Sequence, residues 1–413
     1  MTMLIRLALR NARRNVRRTL LTMATVLIGT SLVVLATAWL DGIFGGMMSA
    51  IAETSGHIRL VDSDYLEREE LAPLYENVAD ADKAIAAARS VDGVVAAYPR
   101  ILTGALMAKG EDLGEDFGLV VGASPEWYAE RLKGPDHLIA GAWLTGKKDE
   151  VVLGRKLAKQ LDVQVGDEVL LLGQTQYGSM SDLAPTVVGV VSADAMIDNQ
   201  AFVNLADAQW MLDMDGGALE VLVYADSTDG AHLAPIAEKL AAHPDLAGIT
   251  PQPWSSREPI PTMMPMVDGM SGFIAGLVLF ITSLAIFNTM TMSVMERTGE
   301  IGVMRAMGLS RPGAIALFAV ESGIIGLLGG IGGAILGGAA GMYLEVYGVT
   351  LDEQLLDQMA QTFPMKQTFY ADVNAGNLTT AVVLGIFIAL FGALLPAWRA
   401  GRIQPVTAMK ARR

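Results

Sequence analysis

The chain has 413 residues, 52% of them hydrophobic and 18% charged, and a mean hydropathy of +0.40; soluble proteins carry about 25% charged residues, so this is a membrane protein with a folded polar portion. It has no cysteine and four histidines, which excludes disulfides, thiolate metal sites and lipidation on cysteine and argues against a multi-histidine metal centre. The net charge of -14 hides a segregation: residues 1–18, 295–312 and 396–413 are basic, whereas the long stretch between Asp41 and Asp268 holds 15 basic and 36 acidic residues.

In chain order, Arg6, Arg10, Arg13, Arg14, Arg17 and Arg18 fall on one side of a helix, with Ile5, Leu9, Ala12 and Val16 on the other. This predicts a cytoplasmic amphipathic helix over 1–18 that lies on anionic membrane lipid. The rival reading of the arginines, nucleic-acid binding, is set aside because an uncharged span follows at once. Leu20–Leu40 is that span, placed at 19–41. Ala36-Thr37-Ala38 has the form of a signal-peptidase site, but the apolar run exceeds the about 7–15 residues of a signal sequence. It reads as an uncleaved anchor.

Residues 42–265 read as an α+β domain. A helix is predicted over 79–90. Strand-like runs follow at 94–98, 119–121, 150–153, 168–172, 186–191, 201–204 and 220–224, with helical patterns at 155–161, 205–212 and 231–242. Pro251, Pro253, Pro259, Pro261 and Pro265 then predict an extended, stiff strut. Three more spans are expected at 266–294, 314–344 and 378–396, separated by a short segment at 295–313 and a loop at 345–377, with a tail at 397–413. Short basic segments face the cytoplasm. Both termini and the segment 295–313 are therefore expected inside, and the large acidic domain outside.

The segment Met295–Pro312 interrupts the hydropathy with Glu296, Arg297, Glu300, Arg305 and Arg311. Ile301, Met304, Met307 and Leu309 keep a spacing of three and four, and Gly308 is a plausible helix stop. A short amphipathic helix and a polar loop both fit this pattern. Glu321 sits inside the third span, where a carboxylate is costly. It reads as a hydrogen-bonding anchor near the interface, with proton coupling as the alternative. Gly329, Gly333, Gly337 and Gly341 recur every four residues and mark helix packing, within the chain or between subunits. Gly141–Lys148 comes close to a phosphate-binding loop, but Lys148 stands where Ser or Thr is required and a strand-like run follows. No catalytic constellation is present, so neither catalytic nor metal-binding residues are assigned.

Two segments carry a family resemblance. Glu296-Arg297-Thr298-Gly299-Glu300-Ile301-Gly302-Val303-Met304-Arg305-Ala306-Met307-Gly308 resembles the signature after the second span of FtsX-like ABC permeases. Leu395-Pro396-Ala397-Trp398-Arg399-Ala400 through Pro405-Val406 resembles their closing segment. Gly141-Ala142-Trp143-Leu144, Val151–Gly154 and Val165-Gly166-Asp167 resemble the outer domain of the MacB and LolC/LolE branches, with LolC/LolE the more similar by length. The resemblance implies four transmembrane helices with a large periplasmic α+β domain between the first and second, in a multi-pass bacterial inner-membrane protein. It implies a cytoplasmic ABC ATPase dimer that holds ATP and magnesium, leaving this chain without cofactors or enzyme activity of its own. It also implies a second permease subunit, either a copy or a paralogue, and a periplasmic carrier or adaptor. Glu296, Arg297, Glu300, Ile301, Met304, Arg305 and Gly308 would then form the ATPase-coupling element. The implied function is extraction or export of lipoproteins or another lipophilic substrate from the inner membrane toward the periplasm by mechanotransmission. The alternatives are an FtsX-like regulator of a cell-wall hydrolase and MacB-like efflux with an adaptor.

Overall fold

A computed structural model describes residues 16–69, 73–109, 112–193, 197–350 and 368–403. The basic helix expected over 1–18 falls outside these residues except for its last three, as do most of the loop at 345–377 and the tail from 404. The chain divides into two compact units. One comprises Met1–Gly46, Met264–Thr350 and Thr368–Arg413, and the other Met47–Met263 and Leu351–Gln367.

The second unit is the α+β domain. Helix α1 (Val16–Ser55) enters it as an unbroken 40-residue helix. Asp41 ends the apolar run but not the helix, because one acidic side chain is compatible with helical backbone. Strand β1 (Ile58–Asp62) and the short α2 (Ser63–Glu67) follow. Helix α3 (Ala81–Arg89) is capped by Asp80, whose carboxylate accepts from Lys83 N at 2.9 Å, and it buries Ala81, Ala84, Ala87 and Ala88. The runs expected at 94–98 and 119–121 are parts of one long antiparallel pair, β2 (Val94–Lys109) and β3 (Asp112–Ala123).

Next come β4 (Leu138–Gly141), β5 (Glu150–Gly154), α4 (Arg155–Gln160), β6 (Val169–Gln174), β7 (Met180–Leu183), β8 (Thr186–Val191), β9 (Gln200–Asn204), α5 (Leu205–Leu212), β10 (Glu220–Ala225), α6 (Gly230–Ala241) and β11 (Ile249–Pro253). The main sheet path runs β11-β1-β10-β2-β3-β9-β5-β8-β4, with β6 on β2 and β7 on β6. Most pairs are antiparallel; β3 with β9 and β5 with β8 are parallel. One core lies under α3 and α6, where Leu233, Ile236 and Leu240 pack with Ile58, Leu60, Val221 and Val223. Each such side chain contributes about 1.5–3 kcal/mol on burial. A second core joins β2, β3, β5, β6, β8 and β9 to α4 and α5 around Met107, Leu153, Leu157 and Met211.

The loop after β4 is no phosphate cradle. Thr145 donates both its backbone N–H and its hydroxyl to the Glu150 carboxylate, each at 2.7 Å. The proline-rich stretch differs from its expected extended form. Pro251 and Pro253 lie in β11, but helix α7 (Ile260–Glu296) already contains Pro261 and Pro265. Pro261 is tolerated in the first helical turn because the N–H it lacks has no partner there, whereas Pro265 lies inside the helix and removes one bond of its ladder.

The first unit holds the membrane helices. After α7 come α8 (Thr298–Ala306), α9 (Arg311–Tyr347) and α10 (Ala375–Arg402), with the short strands β12 (Val349–Thr350) and β13 (Thr368–Phe369) between α9 and α10. Among the described residues, α1, α7, α9 and α10 are long and apolar enough to cross a membrane. Helix α9 packs on two sides through glycine. A Cβ at Gly329, Gly333 or Gly337 would collide with Val26, Thr30 or Ser31 and Val34 of α1, and one at Gly341 with Val373. A Cβ at Gly326 or Gly330 would meet Gly385 or Val382 of α10. Close backbone approach of this kind replaces the hydrophobic drive that lipid does not supply.

Candidate functional site

The segment 295–312 forms a short helix, α8 (Thr298–Ala306), between the end of α7 and the start of α9. Helix α8 closes with N–H of Gly308 on the Arg305 carbonyl (3.1 Å) and N–H of Leu309 on the Met304 carbonyl (3.0 Å). This double closure is the Schellman arrangement and needs a positive φ at the residue after the cap. Gly308 supplies it, at φ +104. A Cβ there would touch nothing within 4 Å, so the requirement is conformational and not steric. Ser310 then caps α9, its hydroxyl accepting from Gly313 N at 3.2 Å, with Pro312 in the first turn.

The charged residues at the α7–α8 junction and on α8 make contacts with α1, α9 and α10. Glu296 Oε2 lies 2.7 Å from Arg18 Nη1 of α1. Arg297 points the other way, with Nη1 3.2 Å and 3.4 Å from the two carboxylate oxygens of Glu321 in α9. Both side chains of that pair are buried, 7% and 5% exposed. Arg305 Nη1 donates to the Gly401 carbonyl of α10 at 3.1 Å and to the Ile403 carbonyl just beyond it. A guanidinium at a helix C-terminus satisfies orphan carbonyls and opposes the negative end of the dipole. Glu300 is half-buried and also engaged.

Apolar packing completes the attachment. Ile301 is buried with Val26 of α1, Ile286, Met290 and Val294 of α7, Phe318 of α9 and Ile388 of α10, and Met304 packs at its edge. The opposite side of α8 is open: Val303 is 42% and Met307 76% exposed, with Ala306 exposed between them. The structure thus places Arg297, Ile301 and Arg305 on the inward face and leaves a small apolar surface outward. Glu321, expected inside the third span, is the partner of Arg297.

The α+β domain holds a second constellation that sequence reading did not single out. Glu220 on β10 is buried, with Arg100 Nε and Nη2 2.8 Å and 2.7 Å from its Oε1 and Arg59 Nη1 4.0 Å from its Oε2. Burial pushes the Glu220 carboxyl up, but Arg100, Arg257 and Arg59 overcome this and hold it below its ordinary value. Arg59 also donates to Gln252 (2.6 Å) and Glu69 (2.7 Å). His57 Nδ1 accepts from Ala225 N at 3.1 Å, and burial lowers its imidazole despite the nearby Glu53. Burial raises the Tyr224 phenol to about 12. The available signal was a charge within an otherwise apolar β run: Arg59 in Ile58–Val61, and Glu220 before Val221–Tyr224.

Residues 19–243 match the MacB-like periplasmic core domain, and residues 272–405 match the FtsX-like permease C-terminal region. The chain is 26% identical over 276 residues to the lipoprotein-releasing system transmembrane protein LolC of Xylella fastidiosa (strain 9a5c), covering 63% of this chain and 64% of the relative. It is 25% identical over 338 residues to the LolC of Neisseria meningitidis serogroup B, covering 77% and 78%. It is 26% identical over 438 residues to the macrolide export ATP-binding/permease protein MacB of Hyphomonas neptunium, covering 98% of this chain and 60% of the relative. The chain therefore spans 64% of the length of the Xylella relative and 60% of the Hyphomonas one.

Proposed function

This chain belongs to the ABC-transporter permeases built from a MacB-like periplasmic core domain and an FtsX-like permease C-terminal region, and we propose that it is the membrane subunit of an ATP-driven complex that extracts lipoproteins from the bilayer. A separate ATPase dimer holds ATP and magnesium on the cytoplasmic side and bears on α8. A second permease subunit, copy or paralogue, completes the membrane part. The α+β domain stands in the periplasm and passes the substrate to a soluble carrier.

The observation that carries this reading is the division of labour on α8. Its polar ties run inward to α9 through Arg297 at its N-cap and to α10 through Arg305, and Ile301 packs with Val26 of α1 and Ile286 of α7, so a force applied to it reaches those helices as a set. What remains outward is the apolar surface of Val303, Ala306 and Met307, suited to a groove on a partner. Lipoprotein as the substrate is supported by the similarity to LolC.

The test is reconstitution of the chain with its ATPase and a soluble acceptor. Val303→Asp with Met307→Asp places charges on the docking surface and leaves the inward ties intact. Loss of ATPase co-purification and of lipoprotein transfer is expected. Full transfer by this variant would refute the reading. Similarity to MacB across 98% of the chain favours a second reading, export of a small molecule through an adaptor. Transport that requires an adaptor and no lipoprotein acceptor would select it.

A further inference from the structure

Helix α1 ends in the α+β domain with its last carbonyls in the grip of side chains. A helix leaves its final four carbonyls without backbone donors. Here Tyr224 Oη donates to the Glu53 carbonyl at 2.8 Å, and Arg100 Nη1 donates to the Thr54 carbonyl at 2.5 Å. Gly56, at φ +78, then turns the chain into β1.

Neither donor is free to swing. The Tyr224 hydroxyl accepts from Trp127 Nε1 at 2.8 Å, and the Arg131 guanidinium lies 4.0 Å from the centre of its ring. Arg131 Nη1 is itself 3.6 Å from Glu53 Oε2. Arg100 is held by its two bonds to Glu220. Two guanidinium groups at this end also oppose the negative pole of the helix dipole. The grip therefore joins α1 to β2 and β10, the middle of one half of the sheet.

We propose that Arg100 and Tyr224 are positioning residues that make the last turn of α1 and the sheet one rigid body, with Glu220 holding Arg100 in register. A displacement of α1 then reaches the sheet whole, instead of dissipating in a fraying helix end. The consequence for transport rests on the permease reading above; the mechanical statement does not.

The absence of cysteine allows a direct test in the full chain in lipid nanodiscs. Spin labels at Ser49→Cys and Val95→Cys, both exposed positions, report the distance between the end of α1 and β2. A single narrow distance is expected in the parent. Tyr224→Phe keeps the ring and removes only the hydroxyl; Arg100→Lys keeps the charge and removes the fork. Each should broaden the distribution and speed amide exchange at residues 52–55 about tenfold. Tyr98→Phe, which removes the bond to Glu130 Oε2 and leaves the α1 carbonyls capped, should do neither. Narrow distances in both capping variants, or equal broadening in Tyr98→Phe, would overturn the proposal. In the reconstituted complex, release per ATP should fall about tenfold in the capping variants with hydrolysis retained. Unchanged release from a frayed turn would overturn the transmission role. A parent complex that releases nothing counts against the permease reading, and the label distances still decide this one.

Discussion

Glu321→Gln leaves the Arg297 guanidinium buried beside a neutral amide. The pair is 3.2 Å apart and both side chains are more than nine-tenths buried. At an effective dielectric constant of about 20, their attraction is about 5 kcal/mol. Removing one partner of a buried pair costs about 3–5 kcal/mol, because the survivor stays buried and uncompensated. Arg297 has a further interaction, which places the expected cost near 3 kcal/mol. That is a change of about 150-fold in the equilibrium for opening α8. Replacing both, as Arg297→Met with Glu321→Leu, removes the desolvation penalty with the attraction and should come out near neutral. Hydrogen exchange at the amides of residues 298–306, in the full chain in nanodiscs, reads this directly. Fast exchange is expected in Glu321→Gln and near-parent exchange in the double variant. Parent-like exchange in Glu321→Gln, or a double variant worse than the single, would refute the reasoning.

Other outcomes follow from the same geometry. Gly333→Ala drives a Cβ into Thr30 Oγ1 of α1 and should cost about 1–3 kcal/mol, whereas Gly276→Ala meets nothing within 4 Å and should cost none; equal melting temperatures would contradict the α9–α1 packing. Gly308→Ala forces a side chain onto a φ of +104 and should loosen the C-terminus of α8 by about 1 kcal/mol, read as faster exchange at the Leu309 amide, which closes onto the Met304 carbonyl. Burial holds the His57 imidazole below its ordinary value, so the unfolded chain takes up its proton first. Stability should therefore fall as pH drops below about 6.5 and level off past the folded value. Glu220 adds a loss of the same sign only in the carboxylate range, below about 4.3. Denaturation of the full chain at pH 7.5 and 5.5 checks this, and His57→Gln should flatten the difference.

The strands that were legible share a cause. Val151–Leu153, Val187–Val191 and Val221–Tyr224 are short β-branched runs that bury both faces or one. Strand β1 was not, because Arg59 interrupts it, and β11 was not, because Pro251 and Pro253 argue against pairing. Both owe their place to partners distant in sequence: Arg59 to Gln252 and Glu69, and β11 to its antiparallel register on β1. The parallel pairing of β3 with β9 is equally non-local. On α8, the charges were visible but not their direction. Arg297, Ile301 and Arg305 are four apart and share a face with the buried isoleucine. The spacing held that information, but it fits a polar loop as well as a helix and does not say which charges are buried. Their partners Glu321 and the Gly401 carbonyl lie in other helices and leave no local trace.

The most direct measurement uses a single cysteine, Met307→Cys, at the 76% exposed C-cap of α8, in a chain that has none of its own. Modification by a membrane-impermeant maleimide is compared in spheroplasts and in inverted membrane vesicles, with and without the partner ATPase. Expected is labelling in inverted vesicles alone, and protection there when the ATPase is bound. Labelling from the external medium, or unprotected labelling in a complex that still transports, would contradict the assignment of α8 as the surface on which the ATPase acts.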